Sequence, residues 1–267
     1  MCDNRNRTYT TTGRTIVKKK ALVTGASEGI GYVFAKRLAA EGYEVTAVAR
    51  NEDKLKKLVE EIGGGHSYIA ADLTTEAGQD AIIQAISARH YDLLVNNAGI
   101  AAMGKFTDIP LKRHVDVLTL NCETVVKLSY AYLKTATAGD VLINVSSALA
   151  FMPMPVIGLY SATKAFVTSF SESLWFEQKS RGVYVMGLCP GITSTNFNEN
   201  SGGGKADTPK LMTQTSEQVV DNALQALKSR KKPTVISGLV NNIFAFISRL
   251  MSRKAIASMM GQMGAKQ

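Results

Sequence analysis

Short apolar runs rich in β-branched residues alternate with longer helical patterns along most of this chain, and this alternation constrains the fold most strongly. Seven runs fit strands, at 21–24, 44–49, 67–70, 93–95, 141–145, 183–188 and 234–236. The segments between them fit helices, at 30–41, 52–62, 76–88, 112–135, 159–181 and 217–229. Strict alternation implies crossovers between parallel strands, and several runs are apolar on both faces. The sequence therefore predicts an α/β fold with a doubly wound parallel sheet of about seven strands and helices on both faces.

The rest of the chain predicts one domain with distinct ends. No linker rich in Pro, Gly or Ser divides the 267 residues, so we expect a single domain over 19–267 behind a basic tail at 1–18. A glycine-rich stretch at about 196–213 predicts a mobile loop beside the substrate. An apolar segment with basic residues predicts an amphipathic helix at about 242–260. For this helix, packing on its own domain or on a partner subunit is favoured over contact with a membrane surface.

Composition excludes several classes of partner. The net charge of +9 is concentrated in the first twenty residues and at 228–232, without the aromatic residues of a nucleic-acid module, so no nucleic-acid partner is expected. The three cysteines and three histidines lack the spacing of a metal site or a disulfide framework. No apolar stretch is long enough to cross a bilayer. We therefore expect a cytoplasmic protein without a metal.

A glycine-rich turn lies between the first predicted strand and the first predicted helix, in ALVTGASEGIGYVFAKRL. Glycines here allow the backbone to approach a pyrophosphate, whose charge is stabilised by free N–H groups and the helix dipole. The strand before the turn and the helix after it are the context of a Rossmann-type dinucleotide site. The candidate cofactor residues of the turn are Gly25, Ser27, Glu28, Gly29, Ile30 and Gly31.

The end of the second predicted strand indicates which dinucleotide binds. An acid there would accept hydrogen bonds from a free 2′-hydroxyl, whereas this chain has Ala49 followed by Arg50. The positive charge favours NADP(H) over NAD(H), with Ser27 and Asn51 as further contacts. Glu28 favours NAD(H), because an acid in the phosphate turn repels an additional phosphate. NADP(H) is the preferred prediction and NAD(H) the alternative.

A second group of polar residues points to proton transfer. Tyr160 and Lys164 in GLYSATKAF are four residues apart, so they project side by side from a helix. A carbonyl reduction needs a hydride and a proton, and a cation beside a tyrosine lowers its pKa by stabilising the phenolate. Ser147, which follows the run VLINV, could hold the carbonyl oxygen. The alternative is a solvated helix face, a turn serine and, for Asn121, an ordinary buried amide.

Taken together, these motifs resemble those of the single-domain short-chain dehydrogenase/reductase family. They are TGASEGIG at 24–31, NNAG at 96–99, Asn121, Ser147, YSATK at 160–164 and PG at 190–191, and the resemblance covers about 19–236. It implies that Tyr160 is the general acid or base and that Lys164 is its electrostatic partner. It further implies that Ser147 orients the substrate and that Asn121 holds a water for proton relay.

The resemblance also implies additional cofactor contacts and an assembly. Asn96 would be structural. The implied contacts, beside those of Tyr160 and Lys164, are Asp72, Leu73, Asn97, Ala98, Gly99, Pro190, Gly191, Ile192 and Thr195. Members of the family commonly pair through the helices after the fourth and fifth strands, so a homodimer or homotetramer is expected.

Apolar residues near the predicted site indicate the substrate class. The segment ALAFMPMPVI and the glycine-rich loop contain no arginine that would bind a carboxylate. The candidate pocket residues are Ser147, Phe151, Met152, Met154 and Phe197. We expect an NADPH-dependent reductase that transfers hydride to the carbonyl of a small hydrophobic ketone or aldehyde. The alternatives are an NAD-linked alcohol or hydroxysteroid dehydrogenase working in oxidation, and a non-catalytic dinucleotide-binding regulator.

Overall fold

The computed structural model describes residues 18–195, 197–202 and 213–264 of the chain. Within these ranges the strands are β1 (Lys20–Thr24), β2 (Glu44–Ala49), β3 (Ser67–Ala70), β4 (Leu93–Asn96), β5 (Val141–Val145), β6 (Tyr184–Cys189), β7 (Ile192–Thr193), β8 (Thr213–Gln214) and β9 (Thr234–Ile236). The α-helices are α1 (Gly29–Ala40), α2 (Glu52–Ile62), α3 (Glu76–Ala88), α4 (Leu111–Leu118), α5 (Thr124–Thr135), α6 (Gly158–Gln178), α7 (Phe197–Asn200), α8 (Ser216–Ser229), α9 (Leu239–Leu250) and α10 (Arg253–Gly264).

Seven of the described strands form one parallel sheet in the order β3-β2-β1-β4-β5-β6-β9, and β7 pairs with β8 outside it. Ala21 in β1 lies opposite Val45 on one side and Leu93 on the other. The strand order reverses between β1 and β4, and such a reversal opens a crevice at the carboxyl ends of the strands. The predicted doubly wound α/β fold of Rossmann type is therefore confirmed.

Apolar side chains cover both faces of the sheet, because successive residues of a strand point in opposite directions. On one face Val23 and Ala47 belong to a cluster that includes Phe34 of α1 and residues of α2 and α8. On the other face Leu22 and Leu94 pack with residues of α3 and α5. This double cover explains why the predicted strands are apolar throughout. It also holds the carboxyl edge of the sheet, where the predicted site residues lie, in a fixed geometry.

The long helix expected at 112–135 is interrupted, which corrects the sequence prediction. Between α4 and α5 the residues Thr119–Glu123 form a π-helical turn, in which the N–H of Thr124 donates to the carbonyl of Thr119. Such turns insert one residue into a helix and occur often at functional sites. Asn121 lies in this turn. Because the apolar pattern continues through the inserted residue, the helical period of the sequence did not reveal it.

The single helix expected at about 242–260 is also corrected, since the structure has the two helices α9 and α10. Met251 between them is extended, with φ −85° and ψ 147°. Ser252 then starts α10, because its hydroxyl accepts a hydrogen bond of 3.2 Å from the N–H of Ala255. A serine with this role at a helix start is a common N-cap. No helix of the described residues is both long and apolar enough to cross a membrane.

Two sequence predictions fall largely outside the described residues. Of the basic tail expected at 1–18, only Lys18 is described. Of the mobile loop expected at about 196–213, residues 196 and 203–212 lie outside the described ranges, whereas 197–200 form α7 and Thr213 begins β8. The described part of this loop thus begins with a short helix, whose Phe197 lies beside the predicted site.

The turn between β1 and α1 is packed too closely to accept a side chain. A Cβ atom on Gly31 would lie 2.3 Å from the carbonyl oxygen of Gly25 and 2.5 Å from Nδ2 of Asn97. Real Cβ atoms do not approach backbone this closely, so any larger residue must displace the turn. The glycine at this position is therefore required by helix-to-strand packing, as expected for the third glycine of such a turn.

We expect Gly31→Ala to reduce the free energy of unfolding by about 1–3 kcal/mol, because the added methyl group overpacks a rigid turn. Gly64→Ala is the matched control, since a Cβ at Gly64 meets nothing within 4 Å. Urea unfolding of the wild type and both variants measures the difference. Equal stability of Gly31→Ala and the wild type would contradict the packing described here.

Candidate active site

A cleft of about 600 Å³ runs along the carboxyl edge of the sheet, a volume typical of a small-molecule site. The turns after β1, β2, β3, β4, β5 and β6 contribute to its walls, together with the first turns of α6 and α7. Eighteen predicted cofactor residues line it, namely Gly25, Ser27, Glu28, Gly29, Ile30, Arg50, Asn51, Asp72, Leu73, Asn97, Ala98, Gly99, Tyr160, Lys164, Pro190, Gly191, Ile192 and Thr195. Gly31 is not among the lining residues.

The phosphate turn is bonded directly to the segment after β4. The hydroxyl of Thr24 accepts hydrogen bonds from the N–H groups of Asn97, at 2.9 Å, and Ala98, at 3.0 Å. In return Nδ2 of Asn97 donates to the carbonyl of Thr24 at 2.9 Å. Gly25 has φ +67°, and a Cβ there would lie 2.9 Å from Cα of Ala98. These contacts bring two backbone segments together at the point where the strand order reverses.

The start of α1 has the properties of a pyrophosphate site. Gly29 adopts φ +58°, which bends the backbone into the helix. No described side chain caps the first turn of α1, so its N–H groups face the cleft without a side-chain partner. Free helical N–H groups and the positive end of the helix dipole stabilise phosphate. The turn therefore fits the diphosphate of a dinucleotide.

The far end of the cleft carries more positive charge than the sequence suggested. Glu28 forms an ion pair with Lys54, whose Nζ donates to its Oε2 at 2.9 Å. The charge of the acid in the phosphate turn is thus countered inside the protein. Arg50 is exposed and forms no ion pair with a described residue, and it lines the same end. Asn51 is the N-cap of α2, because its Oδ1 accepts from the N–H of Lys54 at 2.9 Å.

Lys54 was missed by the sequence analysis. The sequence feature that could have identified it is its position in the first turn of α2, three residues after the N-cap Asn51. A side chain there can reach the turn after β1 only because β1 and β2 are neighbours in the sheet. Arg113 is a second missed lining residue, and its guanidinium donates to the carbonyl of Ala101 at 2.7 Å.

Asp72 holds its charge at the end of β3. Burial by itself raises the pKa of this carboxyl, but hydrogen bonds from the N–H and hydroxyl of Thr74 and the charges of Arg50 and Lys112 lower it below its usual value. The bonds from Thr74 are 3.0 Å and 2.7 Å long and reach only Oδ1. Asp72 is thus an ionised acceptor that lines the cleft.

Tyr160 and Lys164 lie side by side in the first turns of α6, and both are buried, with exposed fractions of 9% and 5%. Nζ of Lys164 donates to the carbonyl of Val145 at 2.8 Å and lies 5.5 Å from the centre of the Tyr160 ring. Burial raises the pKa of Tyr160 to about 12, which a hydrogen bond with Ser147 partly offsets. Burial also lowers the pKa of Lys164 to about 8. Burial thus holds the pKa of Tyr160 above its ordinary value in this structure, although Lys164 lies beside it.

Ser147 lies opposite the tyrosine, at the end of β5. Its Oγ accepts a hydrogen bond from the N–H of Leu149 at 3.1 Å, and its hydroxyl is hydrogen-bonded to the phenol of Tyr160. Ser146 beside it has a supporting role that the sequence analysis did not find. Its hydroxyl donates to the carbonyl of Lys164 at 2.6 Å and lies 2.7 Å from that of Thr168. Ser146 therefore ties α6 to β5.

Asn121 is fully buried and does not line the cleft. Its amide pairs with both backbone groups of Ile100, accepting from N–H at 3.0 Å and donating to C=O at 2.9 Å. The same Nδ2 donates to the hydroxyl of Thr163 at 3.0 Å. The side chain thus joins the loop after β4 to α6. Asn96 is likewise structural, because its Nδ2 donates to Oδ1 of Asn144 at 2.9 Å across β4 and β5.

The structure brings only part of the predicted substrate pocket to the cleft. Phe197 lines it, with its ring centre 5.4 Å from that of Tyr160, as does Ser147. Met154 packs against the apolar cluster that contains Tyr160. Phe151 and Met152 do not line the cleft that the described residues form. The turn at 148–151 points these two side chains elsewhere, which the sequence pattern could not show.

Away from the cleft, His90, Asp92 and Asp140 lie close together at the opposite edge of the sheet. Both carboxylates already accept backbone hydrogen bonds, Asp92 from the N–H of Lys20 at 2.7 Å and Asp140 from that of Thr137 at 2.6 Å. The cluster therefore has a structural explanation in the connections that start β1 and β5.

A dinucleotide cleft with a buried tyrosine, lysine and serine at one end defines an oxidoreductase of the nicotinamide-dependent class. A family model for short chain dehydrogenases matches residues 19–206. The chain therefore belongs to the short-chain dehydrogenase family. Its activity is that of an NAD(P)-dependent oxidoreductase acting on hydroxyl or keto groups.

Individual relatives are similar over most of their length. The chain is 30% identical over 249 residues to the very-long-chain 3-oxoacyl-CoA reductase of Mus musculus, covering 88% of this chain and 78% of that one. It is 33% identical over 225 residues to a 7β-hydroxysteroid dehydrogenase of Mediterraneibacter gnavus, covering 81% and 85%. A solved short-chain dehydrogenase from Sphingobium yanoikuyae, in complex with NADPH, matches with TM-score 0.78 and 28% identity, covering 87% and 93%.

The buried Lys164 should make the free energy of unfolding depend on pH. Its pKa is about 8 in the folded chain and 10.5 ordinarily, so the unfolded chain binds more protons between these values. Relative to Lys164→Met, which cannot titrate, the free energy of unfolding of the wild type should rise by roughly 3 kcal/mol from pH 7 to about 10.5. Urea unfolding across this range measures it, and parallel profiles of the two proteins would contradict a buried ammonium.

Proposed function

We propose that this chain is an NADPH-dependent reductase that transfers hydride to the carbonyl of a hydrophobic ketone or aldehyde. The observation that carries the proposal is the buried group of Tyr160, Ser147 and Lys164 at one end of a cleft whose other end carries Arg50 and Lys54. The first end fits a reacting carbonyl, and the second fits a dinucleotide with an additional phosphate. The nicotinamide ring, when bound, supplies the hydride.

The protonation states of the free site suit reduction. With a pKa of about 12, Tyr160 keeps its proton at neutral pH and is the acid that a carbonyl oxygen needs as it gains negative charge. Oxidation of an alcohol would need the phenolate instead. The hydroxyl of Ser147, which is hydrogen-bonded to the phenol in the free site, would hold the carbonyl oxygen beside that phenol. A protonated Tyr160 therefore supports the proposal of a reductase.

Lys164 would act on both the proton and the cofactor. A pKa of about 8 leaves most of its side chain charged at neutral pH, and this charge would stabilise Tyr160 once it has lost its proton. Nζ uses one of its donors on the carbonyl of Val145, and the remaining ones face the cleft near Gly99. These donors would bind the ribose beside the nicotinamide. Asn121 would act as a positioning residue, because its amide bonds hold Ile100 and Thr163 rather than a ligand.

The apolar surroundings of Tyr160 support a hydrophobic substrate. Ala101, Ile157 and Tyr160 form a buried cluster against which Met154 and Phe197 pack. Two of the relatives are named for substrates with large apolar parts, a very-long-chain 3-oxoacyl thioester and a hydroxysteroid. An apolar ketone or aldehyde would gain contacts here that a sugar would not.

We expect Tyr160→Phe to lower turnover of apolar ketones and aldehydes by a factor of about 10²–10⁴, since it removes the proton donor. The affinity for NADPH should stay within a factor of about two, because Tyr160 is only one of the eighteen predicted cofactor residues that line the cleft. A screen of these substrates with NADPH and NADH, followed by nicotinamide absorbance, measures it. Tyr130→Phe is the matched control, since Tyr130 is 65% exposed on α5.

Outcomes of this screen separate the alternatives. Faster alcohol oxidation with NAD would favour the NAD-linked dehydrogenase, and dinucleotide binding without turnover would favour a regulator. Full activity in Tyr160→Phe would overturn the assignment of the proton donor.

Removing either cation at the far end should weaken NADPH binding selectively. We expect a loss of about 10- to 100-fold for Arg50→Ala and about tenfold for Lys54→Ala, with NADH affinity unchanged, because charge-assisted bonds to a phosphate are lost. Lys54→Ala also removes the ion pair with Glu28, so adding Glu28→Gln should restore much of the loss. Lys57→Ala is the control, since Lys57 is exposed on α2 but does not line the cleft. Calorimetric titration with both dinucleotides measures this, and equal losses for NADPH and NADH would contradict the assignment.

A further inference from the structure

The helix α9 presents a large apolar face to solvent. Leu239, Ile243, Phe246, Ile247 and Leu250 are exposed by 77%, 50%, 63%, 43% and 73%. At about 100° per residue they fall within one stripe about 100° wide. Ala245 is the buried residue of this helix, and it lies on the opposite side. The sequence alone favoured packing of this segment on its own domain or on a partner subunit, and the described residues of the chain leave its apolar side uncovered.

The part of the sequence that carries this face is rich in positive charge and contains no acid. After Asp221 the chain contains eight Lys or Arg residues and no Asp or Glu. Three of them, Arg249, Arg253 and Lys254, flank the end of α9, and all are exposed. None of the three forms an ion pair with another residue of the described ranges. The surface thus combines an apolar stripe with unpaired cations at its margin.

This surface lies beside the substrate end of the cleft. α9 follows the carboxyl end of β9, and the side chain of Asn241 fills the space next to Gly191, where a Cβ would lie 2.0 Å from Nδ2. α10 packs near Pro155, since a Cβ on Gly261 would lie 3.6 Å from its Cγ. Gly191 lines the cleft. The exposed stripe therefore belongs to the same end of the molecule as Tyr160.

We propose that α9 docks this chain on the surface of an anionic lipid bilayer. The apolar stripe would lie at the boundary of headgroups and acyl chains, and Arg249, Arg253 and Lys254 would contact lipid phosphates. The twelve residues of α9 span about 18 Å, too short for a hydrocarbon core of about 30 Å, so the helix lies on the membrane and does not cross it.

Charge favours a lipid surface over a second copy of the chain. A symmetric contact between two copies of α9 would bring their cations together, with no acid on either helix to compensate. The assembly expected from the family resemblance uses other helices, and α5 and α6 expose apolar residues of their own, including Tyr130 and Phe176. Docking through α9 would leave those surfaces free. It would also place the cleft where an apolar substrate, concentrated in the bilayer, could enter.

The test is co-sedimentation of the full chain with vesicles of phosphatidylcholine alone and of phosphatidylcholine mixed with phosphatidylglycerol. We expect binding to the mixed vesicles that weakens with salt. Phe246→Ser should weaken it at least about tenfold, because a large apolar side chain is lost from the interface. Arg253→Ser combined with Lys254→Ser should weaken it about thirtyfold.

Two matched controls make the test specific. Phe106→Ser removes a phenylalanine of similar exposure, 65%, from a different surface, and should bind as the wild type does. Lys231→Ser with Lys232→Ser removes the same charge from the segment before β9, at the opposite edge of the sheet, and should cost less than about threefold. Equal losses in the two double variants would show attraction by net charge alone and overturn the proposal.

Two further outcomes would also overturn it. One is no binding of the wild type to the mixed vesicles. The other is self-association through α9, seen as a concentration-dependent oligomer in light scattering that Phe246→Ser abolishes. Phe246→Ser should keep the thermal midpoint and NADPH affinity of the wild type, which excludes misfolding as the cause of lost binding. Because vesicle binding is measured without substrate, it can succeed or fail independently of the reductase activity.

Discussion

The hydroxyl of Thr24 makes the contact on which the rest of the site depends. It accepts the N–H groups of Asn97 and Ala98 and so joins the turn after β1 to the turn after β4, the two segments that flank the reversal of strand order. Parallel strands direct all their carboxyl ends to one edge, and the reversal leaves a crevice there. Gly25 and Gly31 leave no room for a side chain between these segments. The close packing fixes the shape of the turn and of the part of the cleft that it lines. The positions of the candidate phosphate site, the ribose end and the candidate proton-transfer group all depend on this contact.

Burial gives the other end of the cleft its chemistry. A tyrosine and a lysine that are largely buried both favour their neutral forms, which raises the pKa of Tyr160 and lowers that of Lys164. The fold tolerates the buried ammonium because the carbonyl of Val145 accepts from it and Ser146 holds the backbone of Lys164 in place. The result is a phenol that retains its proton until charge develops beside it. This arrangement suits proton exchange with a hydroxyl or keto oxygen, and at the opposite end of the cleft Lys54 pairs with Glu28.

Much of the fold and of the site could be predicted from the residues, and the misses share a physical cause. Strand positions and helix positions follow from local periodicity, which is why β1 to β6 and β9 occur within one or two residues of the expected ranges. The π-helical turn around Asn121 was missed because one inserted residue leaves the apolar pattern intact. Lys54 was missed because its partner Glu28 is distant in sequence and near only across paired strands. Phe151 and Met152 were assigned to the pocket from composition, but the direction of a side chain depends on the turn that carries it.

The sequence by itself determined the architecture, the glycine turn and which side chains are the candidates for the chemistry, because each of these rests on residue type and short spacing. Only the tertiary structure decided the electrostatics. Whether Lys164 lowers the pKa of Tyr160 depends on how deeply both are buried and on the 5.5 Å from its Nζ to the tyrosine ring, and neither quantity is encoded locally. Likewise, the amphipathic pattern near the C-terminus predicts an apolar face, but only packing shows that α9 turns this face outward. Helices, strands and turns follow from residues that are close in sequence. Solvent exposure and the distances between charges are set only when segments that are distant in sequence pack together.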